Sequence, residues 1–207
     1  MKHEARARRK FRNAIDIASA RTTTPLPAAL FLTDPDRTPD IIATTTRLPE
    51  GVGVLLRHFG RPDQIAIAAE LAATCREQGR TLLVSADPAL CEEIHADGVH
   101  WPGRLVRAGN WIPASGKLQT MSVHRAEDLN LAERAGMDAV LVSPVFASDS
   151  PSATNPIGLA RLQDFAENTT LQVYGLGGID AENAERVAAI CGFASVSGFS
   201  EVYRPRT

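Results

Sequence analysis

Eight short runs of β-forming residues, separated mostly by helical patterns, constrain this chain more than any other feature. They cover residues 29–33, 53–57, 81–85, 98–101, 118–123, 139–142, 171–174 and 193–196. No hairpin signal joins any two of them, so each must pair parallel to its neighbour through a crossover. Between them, residues 63–78 place Ile65, Ile67, Ala68, Leu71 and Ala72 on one helical face. Residues 88–95, 126–135, 158–166 and 181–189 repeat that pattern, whereas 102–116 is only weakly helical. Eight strand–helix units predict a single (β/α)8 TIM barrel of the α/β class, and 207 residues is a short chain for one.

Charge divides the chain before the first strand. Residues 1–21 hold seven Lys or Arg against Glu4 and Asp16, a net +5 that leaves −7 on the remainder. Such a segment is either a basic arm or a leading helix over 5–20. In the helical reading Phe11, Ile15, Ile17 and Ala18 pack on the barrel while arginines face water. The two acids spoil a transit-peptide pattern and favour the helix. The expected division is a basic helix and linker over 1–25, with Thr22-Thr23-Thr24-Pro25 as the joint, and the barrel over 26–207.

An overall charge of −2 argues against non-specific nucleic-acid binding by the whole chain. No apolar run is long enough to span a membrane, and no secretory apolar segment follows the N-terminus. Cys75, Cys91 and Cys191 are odd in number and widely spaced, as reduced core thiols are. The expectation is a cytoplasmic protein with neither nucleic acid nor membrane as partner; a homo-oligomer is compatible with the sequence.

In a barrel of this kind, residues at the C-terminal strand ends converge on one mouth. Here they include Asp34, Arg57, His58, Ser85, Asp87, His100, Trp101, Ser122, His124 and Ser143, while Asp138 opens strand six at the opposite rim. The last two strands run into Gly175-Leu176-Gly177-Gly178 and Ser197-Gly198-Phe199-Ser200. Glycines there let backbone approach an anion, and the helix starts that follow offer unpaired N–H groups. The expected phosphate site is Gly177 and Gly178 with the N–H groups of Phe199 and Ser200, and Asp180 caps the intervening helix. Trp101 is placed either to stack on a ligand ring or to plug the barrel top. His58, His100 and His124 are candidate proton shuttles or satisfied structural histidines.

Six segments in register resemble the thiamine-phosphate synthase/TenI family. They are Asp97-Gly98-Val99-His100, Ser122-Val123-His124 with Glu127, and the run Gly136 to Phe146 containing Ser143-Pro144-Val145-Phe146. Pro156-Ile157-Gly158-Leu159, Gly177-Gly178-Ile179 and Ser197-Gly198-Phe199-Ser200 complete the set, so the likeness runs from about Ala29 to Ser200. The resemblance implies a compact barrel that binds a thiazole phosphate or thiamine-like phosphate at its mouth. Synthase members join that phosphate to a pyrimidine pyrophosphate and expel magnesium-bound pyrophosphate. It implies Arg57, Ser122 and His124 as catalytic residues and Ser143 as a ligand-binding residue, beside Trp101, which its place at a strand end makes a ligand-binding candidate.

The chain departs from that family at ionic positions. An Arg-x-Lys after strand two becomes Arg57-His58-Phe59, and an Asn-Asp after strand three becomes Ser85-Ala86, with Asp87 one place along. The acid after strand four aligns with Leu105, near Arg104 and Arg107, and the lysine after strand six with Pro151. Magnesium belongs to the family, but its carboxylate positions here are Ala86 and Leu105, so no metal ligand is assigned. A leaving pyrophosphate needs charge where its own develops, and Arg57 alone leaves much of it uncompensated. The expectation is therefore retained phosphate binding rather than synthase chemistry. A degenerate sensor or partner subunit and a thiazole tautomerase-like or other phosphate-ester isomerase are the alternatives; the tautomerase histidine aligns with Pro144.

Overall fold

The computed structural model describes residues 2–22, 24–148 and 155–205. Eight parallel strands close into a barrel: β1 Ala29–Leu32, β2 Val52–Leu56, β3 Leu82–Ser85, β4 Gly98–Trp101, β5 Leu118–Val123, β6 Ala139–Val142, β7 Gln172–Leu176 and β8 Gly192–Ser195. Pairing of Ala29 with Phe193 and of Leu30 with Ala194 closes the ring between β1 and β8. Every predicted strand is present, with ends shifted by no more than two residues.

Side chains alternate across the strands and build two cores. Leu30, Leu32, Leu55, Leu83, Leu141 and Tyr174 point inward and fill the barrel, with Ala139 and Ala194 giving room beside the tyrosine. Phe31, Val54, Val84, Val99, Trp101, Met121, Val140 and Phe193 point outward under the helices. The inward positions of β4 and β5 break this pattern, because His100 and Thr120 are buried and polar.

The first helix, α1 (Lys2–Ser19), closes the outer layer. It buries Ala7, Phe11, Ala14, Ile15 and Ala18 and stacks Phe11 on Phe199, ring centroids 4.6 Å apart. Lys10 pairs with Glu182, and Asn13 donates to Glu185 at 3.2 Å. Ile17 does not pack as expected; it sits on the wet side of the helix and is 38% exposed. No helix among the described residues is long and apolar enough to cross a membrane.

The other helices are α2 Ile41–Arg47, α3 Pro62–Ala66, α4 Ala68–Glu77, α5 Pro88–Glu93, α6 Gly103–Arg107, α7 Ala126–Arg134, α8 Gly158–Glu167, α9 Ala184–Ala188 and α10 Ser197–Tyr203. The helix expected over 63–78 is broken at Ile67, whose ψ of −5° leaves the helical ladder between α3 and α4. Residues 181–183 form a turn ahead of α9, and Asp180 caps it by accepting from the Glu182 and Asn183 N–H groups at 2.8 and 3.1 Å.

At the rim away from the mouth, two carboxylates fix strand register. Asp97 accepts from the Leu82 N–H and Asp138 from the Gln119 N–H, both at 2.7 Å. Each sits just before its own strand and satisfies a donor in the first two residues of the preceding one. Asp138 is thus at the opposite rim, as its place before strand six implies.

Candidate functional site

A cavity of about 460 Å³ opens at the C-terminal strand ends. The ends of β6, β7 and β8 supply Ser143, Pro144, Leu176, Gly177, Gly178, Ser195 and Val196; α10 supplies Ser197, Gly198 and Glu201. Arg37, Arg57 and His124 also line it.

The glycines are dictated locally before any ligand is considered. Gly177 and Gly178 have φ of 103° and 63°, in the left-handed region that side chains disfavour. A Cβ on Gly178 would lie 2.3 Å from the Ala147 carbonyl oxygen, and one on Gly177 would lie 2.8 Å from Pro144. Beyond β6, the Val145 and Phe146 N–H groups donate to the Leu176 and Gly177 carbonyls at 2.8 and 3.0 Å. The glycines therefore let the 143–148 segment lie flat on the end of β7. The same arrangement keeps their backbone at the cavity wall.

The other side is built from charge. Asp34 Oδ2 accepts from Nη2 of both Arg37 and Arg57, each at 3.0 Å. Arg57 also donates through Nε to the Thr33 carbonyl at 2.8 Å. Burial pulls the Arg57 guanidinium down to about 10 while Asp34 opposes the shift, so it stays cationic at neutral pH. Burial alone would raise the Asp34 carboxyl; the Arg37 hydrogen bond and the charges of Arg37 and Arg57 outweigh it and hold the group below the usual carboxylate value. Two cations share the Asp34 carboxylate, a local excess of one positive charge, while Asp180 and Glu201 also line the cavity.

His124 follows β5. Its Nδ1 lies 2.8 Å from the Ser143 carbonyl oxygen, an acceptor only, so Nδ1 carries the proton and Nε2 is the basic nitrogen of the neutral ring. Asp128 holds this loop in place, accepting from the His124 N–H at 3.3 Å and from Arg107 Nη1 at 2.6 Å. Ser143 Oγ lies 3.4 Å from the same His124 nitrogen.

Deeper in the barrel, His100 bridges the hydroxyls of Thr120 and Ser122 at 2.9 and 2.8 Å. Burial pushes its ring down to about 3, with the Arg57 charge adding to the effect. It is a neutral relay between two hydroxyls. Ser122 spends its hydroxyl there and does not line the cavity.

Several expected site residues lie elsewhere. Trp101 points outward, donates from Nε1 to Gln119 at 2.7 Å and meets Trp111 edge-on; it neither plugs the barrel nor faces the mouth. Phe199 is core, stacked with Phe11 and Phe193. Ser200 is buried, and its N–H donates to the Val196 carbonyl at 3.3 Å inside α10. The α10 residues on the cavity are instead Ser197 and Gly198, two residues earlier, where first-turn N–H groups have no intrahelical acceptor, together with Glu201. Arg37 is the cation that sequence reasoning passed over. Its signal was a base three residues after Asp34, the acid that follows β1.

Among the described residues the donor set does not fit magnesium. The family's carboxylate positions carry Ala86 and Leu105, and Leu105 packs against the outer core. Asp87 caps α5 by accepting from the Leu90 N–H at 2.9 Å, and its other oxygen lies 3.4 Å from His58 Nε2. Arg107 is committed to Asp128. Among the described residues no group of three His, Cys, Asp or Glu could hold a metal ion. Pro151, at the family's lysine position, lies outside the described residues.

A family model described as thiamine monophosphate synthase matches residues 32–202. The chain belongs to this family. It is 31% identical over 129 residues to the thiamine-phosphate synthase of Staphylococcus carnosus, an alignment covering 61% of each protein. It is 26% identical over 155 residues to the thiamine-phosphate synthase of Lactococcus lactis subsp. cremoris, covering 69% of this chain and 68% of that one. The chain thus spans about three fifths of the staphylococcal relative's length. Among solved structures, the thiamine phosphate pyrophosphorylase of Pyrococcus furiosus superposes with a TM-score of 0.67 at 19% identity, covering 84% of this chain and 91% of that chain. At that identity the likeness speaks for the fold.

Proposed function

We propose that the chain serves thiamine metabolism by binding the phosphate of a thiazole or thiamine-like monoester at the barrel mouth. The observation that carries this reading is the juxtaposition of Arg37 and Arg57, joined through Asp34, with the glycine backbone of β7 and the first turn of α10 around one cavity. A phosphate monoester would use two guanidinium groups and backbone N–H donors there; of the carboxylates nearby, Asp34 is paired with both arginines, Asp180 accepts from the Glu182 and Asn183 N–H groups, and Glu201 is exposed. A magnesium pyrophosphate does not, because its carboxylate and lysine partners are replaced by Ala86, Leu105 and Phe59. Isothermal titration of the full chain with thiamine phosphate tests the reading. Binding that Arg37→Met weakens supports it, and the absence of binding refutes it.

The orientation of His124 favours one further reading. With Nδ1–H held by the Ser143 carbonyl, Nε2 is a base on a residue that lines the cavity, as proton transfer on a bound heterocycle requires. A tautomerase-like activity follows from that geometry, with His124 in place of the histidine replaced by Pro144. Incubating a thiazole carboxylate phosphate in D2O checks it. Deuterium uptake lost in His124→Gln supports the activity, and no uptake by the wild-type chain rules it out.

A further inference from the structure

The loop after β2 carries a side chain that neither the fold nor the phosphate grip explains. Phe59 is 65% exposed, although large aromatic side chains usually find burial. Its φ is 50°, a left-handed conformation that a bulky residue adopts at a cost. Its ring lies under the Arg57 guanidinium carbon, 5.4 Å from the ring centroid. Arg57 lines the cavity and is fixed on its other sides by the Thr33 carbonyl and Asp34. Because Arg57 occupies part of the ring and most of Phe59 is exposed, an aromatic surface remains open two residues from a cavity-lining cation. Beneath it the loop is held by His58, whose Nδ1 accepts from the Gly60 N–H at 3.0 Å and whose buried Nε2 faces Asp87. The platform is therefore tied to the β3–α5 loop as well as to Arg57.

We propose that Phe59 is the stacking platform for the ring of the bound ligand, so that the mouth selects phosphate esters carrying an aromatic heterocycle over those without one. This deepens the phosphate-monoester reading and rests on it. Arg57 links the two parts, touching the Phe59 ring on one side and lining the phosphate cavity on the other. An aromatic ring laid on a fixed aromatic surface gains contact without ordering a flexible side chain. Nothing in the arrangement favours a ring-less phosphate beyond the phosphate contacts themselves.

Calorimetric titration of wild type, Phe59→Ala, Phe59→Trp and Arg37→Met with thiamine phosphate, inorganic phosphate and thiamine separates these contributions. Phe59→Ala is expected to weaken thiamine phosphate about five- to tenfold, as loss of one aromatic contact does, with inorganic phosphate unchanged. Phe59→Trp restores the affinity, and Arg37→Met weakens both phosphate ligands together. The stacking proposal is overturned if Phe59→Ala leaves thiamine phosphate binding unchanged. An equal weakening of inorganic phosphate also overturns it, because that marks a displaced Arg57. If inorganic phosphate does not bind and Arg37→Met has no effect, the phosphate reading fails instead; Phe59→Ala against thiamine then decides the platform alone. The side chain is exposed, so circular dichroism of Phe59→Ala should match the wild-type chain.

Discussion

The two halves of the barrel mouth are built from different materials. From β6 to β8 the wall is backbone: Gly177 and Gly178 pressed against residues 144–147, and the opening turn of α10. From β1 to β5 it is side chains, with Arg37, Arg57 and His124 on the cavity, held by Asp34 and Asp128, and His58, His100 and Ser122 behind them. A backbone wall depends on conformation, so a few small residues preserve it. A side-chain wall depends on each residue, and this is where Phe59, Ala86 and Leu105 stand in the family's ionic positions. On the proposed reading, the phosphate grip resides in the backbone half, and the departures from the family's ionic positions fall in the side-chain half.

The largest expected effect breaks the backbone half. Gly178→Val adds a branched side chain at a left-handed φ and against the Ala147 carbonyl, and should destabilise the fold by about 3 kcal/mol or more. A urea midpoint equal to wild type would mean that this wall yields, and the contrast between the halves would dissolve. Next comes the cationic half. Arg57→Met removes a partly buried charge and should weaken thiamine phosphate binding about a hundredfold, against about tenfold for the more exposed Arg37→Met. Titration calorimetry on both variants orders the two cations; equal affinities across the set would show that neither touches the ligand.

A smaller effect is pH-dependent. The His100 ring is neutral in the fold down to about pH 3 but protonates near 6.5 once unfolded. Below 6.5 the unfolded chain therefore binds the extra proton, and stability falls with decreasing pH through that window by up to about 1.4 kcal/mol per unit. Denaturation of His100→Gln should show a shallower decline between pH 6 and 4; a slope equal to wild type would mean that His100 is charged in the fold. Asp34 and Asp128 lose their pairs at lower pH still. Their carboxyls are held below the ordinary value, so this stability is present above about pH 4 and disappears as pH falls through their native values.

Much of the barrel was legible because its signals are local. Parallel strands buried on both faces leave short apolar runs, and Asp97 and Asp138 mark where two of them begin. Helix α2 was not legible. Its Ile41-Ile42-Ala43-Thr44-Thr45-Thr46 run is rich in β-branched residues with low helix propensity. Packing against α4 and α10, with Ile41, Thr44 and Thr45 buried, outweighs that preference. At the site, Gly177, Gly178, Arg57, His124 and Ser143 were brought together at the cavity as their strand ends implied. Trp101 was misplaced because adjacent strand residues face opposite sides; once His100 points inward, Trp101 must point outward. Phe199 belongs to an aromatic stack completed by Phe11, nearly the whole chain away, a contact that no local pattern displays. Arg37 depends likewise on a tertiary meeting with Arg57 over one carboxylate.

The central claim is that the backbone wall grips a phosphate. Following backbone amide resonances of the full chain during titration with thiamine phosphate tests it most directly. The largest shifts should fall on Gly177, Gly178, Ser197 and Gly198 and should saturate together. Shifts confined to other parts of the chain, or none at saturating ligand, would contradict it.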